Sequence, residues 1–194
     1  MEIIFATGNP NKVLEVNQIL GDTGITIKGL KDIGCTEDIP ETQPTIQGNA
    51  IQKADYVTKN YQVNCFSEDT GLEVDALRGE PGVNTARYAG NAKDPEANMS
   101  KILKNLGDTT NRTARFRTVI ALNLGDKQHL FEGICEGDIA FQKTGEGGFG
   151  YDPIFLPKGY NGQSFAELTK EEKNKISHRG IAVRKLMDFL AQAD

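Results

Sequence analysis

The chain has no tryptophan, two histidines and three cysteines, and no apolar run approaches the about 18 residues of a membrane span. Cys35, Cys65 and Cys135 are odd in number, far apart and outside any C-x-x-C pair. That spacing argues against a disulfide framework, a zinc site or a redox motif, and the three read as reduced, structural thiols. A basic excess is missing as well. The 22 Lys and Arg against 27 Asp and Glu leave a formal net charge of -5, which excludes the broad electrostatic footprint of a DNA- or RNA-binding protein. A polyanionic small ligand stays open, because local lysines matter more than the total. Met1 and Glu2 reach Gly8 and Asn9 too soon for a signal peptide, so the expected compartment is the cytoplasm, with no membrane partner.

What is present is ordinary globular usage: 38% hydrophobic and 25% charged residues over 194 positions, enough for one domain, 1–194, with a core around a concave site. The 21 glycines point to several loops of special backbone geometry.

Glu2 to Ala6 fits a buried strand that breaks at Thr7, Gly8 and Asn9. Asn9 as cap and Pro10 as first helical residue then open a helix with Val13, Leu14, Ile19 and Leu20 inside. Ile25 to Leu30 fits a second strand, and 31–43 is irregular and acidic. A helix from about Pro44 carries Ile46, Ala50, Ala54 and Val57 at helical spacing. Val63 to Ser67 reads as a strand ending in Glu68, Asp69, Thr70 and Gly71, with alternation resuming from Leu72 to Leu77. Gly79 to Gly90 is a loop, and Asp94 with Pro95 starts a helix to about Leu106. Arg115 to Leu124 and His129 to Phe141 read as a hairpin turning at 125–127. Thr169 with Glu172 forms a capping box, and Ser177 caps a last helix carrying Ile181, Leu186, Met187 and Leu190. Crossovers together with a hairpin predict an α/β fold on a mixed sheet.

Five constellations could carry chemistry. Thr7, Gly8, Asn9, Pro10, Asn11 and Lys12 supply free N–H groups at a helix start, a permissive glycine and a lysine one turn in, the parts of a phosphate cradle. The same residues would serve as an ordinary strand-to-helix turn. Glu41, Glu68 and Asp69 form a carboxylate set, with Asp69 read just past a strand end where side chains enter the crevice of an α/β sheet. One or two carboxylates completed by water and phosphates suit Mg²⁺, although an isolated Glu-Asp pair is also a common solvated turn. Asn49 and Lys53 share a helix face. Gly145, Gly147 and Gly150 match G-x-G-x-x-G, but Tyr151, Asp152 and Pro153 follow and no helix can start there, which excludes dinucleotide binding. No P-loop is present either, because Lys and Ser/Thr do not follow the glycines. Finally, His178 and Arg179 put two basic groups where a helix dipole disfavours cations; such local violations tend to mark sites, although an ordinary surface histidine is an equally open reading. Lys173, four residues after Thr169, can converge on them.

Five segments in one order carry a resemblance from end to end. They are T-G-N-P-N-K at 7–12, S-E-D-T-G-L at 67–72, P-G-V-N-T-A-R-Y at 81–88, G-G-F-G-Y-D-P at 147–153 and E-E-K-x-x-x-S-H-R-G at 171–180. Together they resemble the inosine triphosphate pyrophosphatase family. Many of its members carry Asp-Asp-Ser where this chain has Glu68, Asp69 and Thr70, swaps that keep the functional groups.

The resemblance implies an elongated mixed β-sheet with flanking helices, forming two lobes around a central cleft, and a homodimer. It also implies Mg²⁺-dependent hydrolysis of non-standard purine triphosphates (ITP, dITP, XTP) to the monophosphate and pyrophosphate. By the same resemblance, Thr7 through Lys12 and Lys53 hold phosphates, Glu41 and Asp69 position Mg²⁺, and Asp69 accepts the proton of the attacking water. Thr70 touches the substrate, and Phe149 stacks on the purine. Gly150, Tyr151, Asp152, Lys173, His178 and Arg179 complete the base-binding set. Two rivals remain: a related pyrophosphatase for other modified nucleotides, and a nucleotide-binding regulator without turnover. The acids argue against the regulator, since a pure triphosphate binder gains little from them.

Overall fold

Strand and helix alternate through the first half of the chain: β1 (Glu2–Phe5), α1 (Pro10–Leu20), β2 (Thr26–Gly29), α2 (Ile46–Tyr61), β3 (Cys65–Val74) and α3 (Pro95–Leu106). The second half gives β4 (Thr113–Leu124), β5 (Lys127–Ile139), β6 (Phe155–Pro157), α4 (Lys170–Ile176) and α5 (His178–Gln192). The structure is a computed structural model that describes residues 1–192, with the side chains of Asn11, Glu15 and Gln18 outside the described set. The strands form one sheet in the order β2-β1-β3-β4-β5-β6. β1 pairs in parallel with β2 and β3, whereas β5 and β6 are antiparallel. This is the mixed α/β sheet that crossovers plus a hairpin require.

Local caps explain where the helices start. Pro10 is the first residue of α1. Thr45 accepts the N–H of Gly48, so α2 begins at Ile46 and not at Pro44. Asp94 accepts from Glu96 ahead of Pro95, and the capping box of Thr169 and Glu172 is closed in both directions. Ser177 accepts the N–H of Gly180 at the start of α5.

Four expectations are corrected. β3 does not stop at Ser67 but runs unbroken from Cys65 to Val74, so Glu68, Asp69 and Thr70 lie inside a strand. Their polarity looks like a turn in sequence, yet Ser67 and Glu68 are buried and the segment lies between two neighbouring strands. Leu14 points outward, and Val16 takes the core position. The segment 79–90 contains a 3₁₀ helix, Gly82–Arg87. After the glycine-rich stretch a single 3₁₀ turn forms at Asp152–Ile154, where Pro153 fits its early position, and strand β6, not an α-helix, follows directly.

The chain divides into two compact units, residues 1–69, 118–132 and from 182 onward in the first, and 70–117 with 133–181 in the second. In the first unit β1 is buried on both sides. Ile3 and Phe5 pack with Val16, Leu20, Ile120, Leu122, Leu186 and Leu190, and Phe5 stacks on Phe66 at 4.4 Å. Ile4 and Ala6 face Val57 and Cys65, as the two-residue period of a strand dictates. Ala50 and Ala54 of α2 meet Val119 and Ala121. In the second unit Met99, Ile102 and Leu106, at helical spacing, cover Leu72, Val74, Phe116 and Phe155. All three cysteines are free and buried. Burial pushes the Cys65 and Cys135 thiols up to about 12.

Candidate active site

In the first unit, the turn after β1 is anchored by the N–H of Ala6 to the Phe66 carbonyl (2.8 Å) and by that of Thr7 to the Phe5 carbonyl (2.7 Å). Thr7 Oγ1 accepts the Asn9 N–H at 3.2 Å. Gly8, Asn9 and Pro10 are exposed, so this helix start is open to solvent. Asn11 lies in α1, but its side chain is outside the described set. One turn in, Lys12 Nζ sits 2.8 Å from Glu68 Oε1, whose side chain is only 2% exposed.

Consecutive residues of a strand point to opposite faces, and β3 uses both. Ser67 Oγ donates to the Ala50 carbonyl of α2, and Asp69 reaches Lys53 of the same helix. Glu68 turns the other way, to Lys12 on α1. This separates the two acids: Asp69 joins Glu41, and Glu68 does not.

The Glu41–Asp69 pair meets on a single cation. Lys53 Nζ lies 2.8 Å from Glu41 Oε1 and 3.2 Å from Asp69 Oδ1. Lys53 and Asn49 are buried, so their shared helix face points inward and not to solvent. Burial works against the Lys53 ammonium, but Asp69 and Glu41 outweigh it and hold its pKa above the ordinary value. Burial raises the Asp69 carboxyl, Glu41 adds to the rise, and Lys53 and Asn49 oppose it. Two carboxylates already drawn to one positive group are a donor set that fits a hard divalent cation. Among the described residues no three His, Cys, Asp or Glu side chains converge as a larger ligand set. Two acids with water and phosphates are the usual Mg²⁺ arrangement.

In the second unit a different set forms. Phe149 is 64% exposed, with Lys173 Nζ 4.5 Å and Arg179 Cζ 5.7 Å from its ring centre. Asp152 is buried; its Oδ2 accepts the Phe149 N–H at 2.8 Å and Lys173 Nζ at 2.5 Å. Gly148 has φ +73°, and a Cβ there would lie 2.1 Å from Asp152 Oδ2. Of the glycines in this stretch it is Gly148, outside the G-x-G-x-x-G match, that lies against the carboxylate, whereas Gly145 and Gly147 abut Ala166. Tyr151 is buried and donates to the Thr85 carbonyl at 2.6 Å, which ties this loop to the 81–88 segment. Gly150 is half-buried. His178 is buried and stacks on Phe116 at 4.6 Å, and Arg179 beside it is buried too. Thr70, half-buried, opens this unit within β3.

The structure thus gathers Glu41, Lys53 and Asp69, pairs Lys12 with Glu68, and gathers Phe149, Asp152, Lys173, His178 and Arg179. Sequence patterning does not single out Phe116 or Phe165, which wall the last set: Phe165 lies 5.4 Å from Lys173 Nζ and stacks near His178. Both read as plain core aromatics, and nothing in their spacing separates them from Phe155. The acids of β3 were visible as residue types, but not as members of a strand.

The comparisons with known proteins agree with one another. The model of the Ham1 family matches residues 3–189. A Flavobacterium psychrophilum protein named dITP/XTP pyrophosphatase is 56% identical over 97% of this chain and 98% of its own length. A Bacillus subtilis protein of the same name is 47% identical over 97% and 96%. The solved Staphylococcus aureus Ham1 protein superposes with a TM-score of 0.93 at 39% identity, covering 100% of both chains. With a family match over nearly its whole length, relatives at this identity and a superposable solved fold, the chain belongs to the Ham1 family.

Proposed function

We propose that this chain hydrolyses non-standard purine nucleoside triphosphates (ITP, dITP and XTP) to the monophosphate and pyrophosphate, with Mg²⁺. The observation that carries the reading is the Lys53 ammonium held between Glu41 and Asp69, in the same compact unit as a solvent-open helix start that suits phosphates, in a family whose named relatives are dITP/XTP pyrophosphatases. In this reading the open turn at Thr7–Lys12 and Lys53 bind the triphosphate. Glu41 and Asp69 hold the cation, which when bound neutralises phosphate charge and acidifies water. Asp69 takes the proton of a water whose oxygen bonds to the α-phosphorus, while the bond from that phosphorus to the α–β bridging oxygen breaks and pyrophosphate leaves. Thr70 supports the substrate beside Asp69.

The second unit's set recognises the base. Phe149 supplies an exposed stacking face. Lys173, His178 and Arg179 are donors suited to the 6-keto oxygen of hypoxanthine and xanthine. Asp152, whose Oδ2 is already engaged, orients Lys173 and the Phe149 backbone, with Gly150 and Tyr151 completing the loop. We also propose a homodimer acting in the cytoplasm, a reading supported by the family resemblance and the three free thiols. The test is a panel of ITP, XTP, GTP, ATP and CTP with and without Mg²⁺, followed by chromatography. IMP plus pyrophosphate from ITP, only with metal, is expected; IDP as first product, or full turnover in chelator, overturns the assignment.

A further inference from the structure

Glu41 belongs to an irregular segment that no strand or helix holds, yet its carboxylate must meet Asp69. α2 supplies the hold. Asn49, Gln52 and Lys53 lie three and four residues apart, on one helix face. Lys53 grips the Glu41 carboxylate, and the other two grip the backbone that follows it. Gln52 Oε1 accepts the Thr42 N–H at 2.8 Å, and its Nε2 donates to Thr42 Oγ1 at 2.8 Å. Asn49 Oδ1 accepts the Gln43 N–H at 2.9 Å, and the same side chain hydrogen-bonds Asp69. Gly48 sets the distance: a Cβ there would lie 2.8 Å from Gln43 Cβ and 3.0 Å from Thr45 Oγ1. The segment rests on the helix where only glycine leaves room.

We propose that Gln52, backed by the close contact at Gly48, is a positioning residue that fixes Glu41 against Asp69 and thereby sets the affinity for the divalent cation. The proposal rests on the reading of Glu41 and Asp69 as the cation-binding pair. Gln52 touches neither cation nor substrate. It removes the need to order the 41–43 segment at each binding event, a cost that would otherwise be subtracted from affinity.

The test measures Mn²⁺ binding to the intact protein by electron paramagnetic resonance, with no nucleotide present, alongside Mg²⁺ activation curves and thermal midpoints. Gln52→Leu and Gly48→Ala are each expected to weaken Mn²⁺ binding about tenfold, the usual scale for an outer-shell partner. The Mg²⁺ needed for half-maximal rate should rise in parallel, with kcat at saturating metal kept within about twofold, since the reacting groups are intact. Thr42→Ala, on the exposed end of the same pair, should give a smaller loss in the same direction and carries the test if either other variant fails to fold. Unchanged Mn²⁺ binding in Gln52→Leu, or in Thr42→Ala where that variant carries the test, overturns the inference while leaving the cation pair intact if Glu41→Gln still loses Mn²⁺. Wild-type Mn²⁺ binding in Glu41→Gln instead overturns the cation-pair reading itself.

Discussion

Each decisive residue here is defined by what its charge meets. Asp69 faces a buried ammonium and a second carboxylate, whereas Glu68, its neighbour in the chain, is committed to Lys12. Asp69→Asn should therefore remove most turnover, by roughly 3–4 kcal/mol of barrier, while ITP binding measured by calorimetry persists. Turnover above a tenth of wild type would move the base to another group. In the proposed reading Arg179, donor-only and buried near the Phe149 ring, would donate to a 6-keto oxygen and meet no acceptor in the amino group of adenine. Sites of this kind discriminate by up to about 10⁴-fold. Arg179→Ala should lower kcat/KM for ITP far more than for ATP, and an unchanged ITP/ATP ratio would remove the residue from base reading. Guanine shares the 6-keto group, so this pairing does not separate ITP from GTP.

At the scale of elements, the glycine-rich loop has a packing role that its G-x-G-x-x-G match does not describe. Gly148 combines φ +73° with a contact that no Cβ could share with Asp152. Gly148→Ala should displace the loop, raising KM for ITP by an order of magnitude or more, about 1.4 kcal/mol per tenfold, while leaving Mn²⁺ binding to the first unit unchanged. A KM within error of wild type would show that the loop geometry does not serve the base. Helix starts were legible because caps act locally: Asn9-Pro10, Asp94-Pro95 and Thr169 with Glu172 each announce themselves within four residues. β3 was only half legible. Its polar centre is stabilised by neighbours distant in sequence, so Glu68, Asp69 and Thr70 looked like a turn when read locally. Residue types and order identified the candidate site, but the pairing of Asp69 with Glu41, and of Glu68 with Lys12, required the strand that sends them to opposite faces.

At the scale of the whole molecule, burial keeps the Cys65 and Cys135 thiols protonated well above their ordinary range. Burial raises Cys65 and Cys135 from 9.0 to about 12, so the folded state binds more protons than the unfolded one between those values. Stability from this source is full below pH 9 and falls as pH rises toward 12, by roughly 1 kcal/mol per thiol per pH unit. Urea midpoints at pH 8 and 10.5 should thus differ less in Cys65→Ala than in wild type; equal differences would deny the thiol its part. In the native protein at pH 8 both thiols should also resist alkylation. Attack of water on the α-phosphorus can be read from isotope placement. ITP turned over in H₂¹⁸O should yield IMP carrying one ¹⁸O and unlabelled pyrophosphate; label in pyrophosphate, or in released phosphate alongside unlabelled IDP, would contradict it.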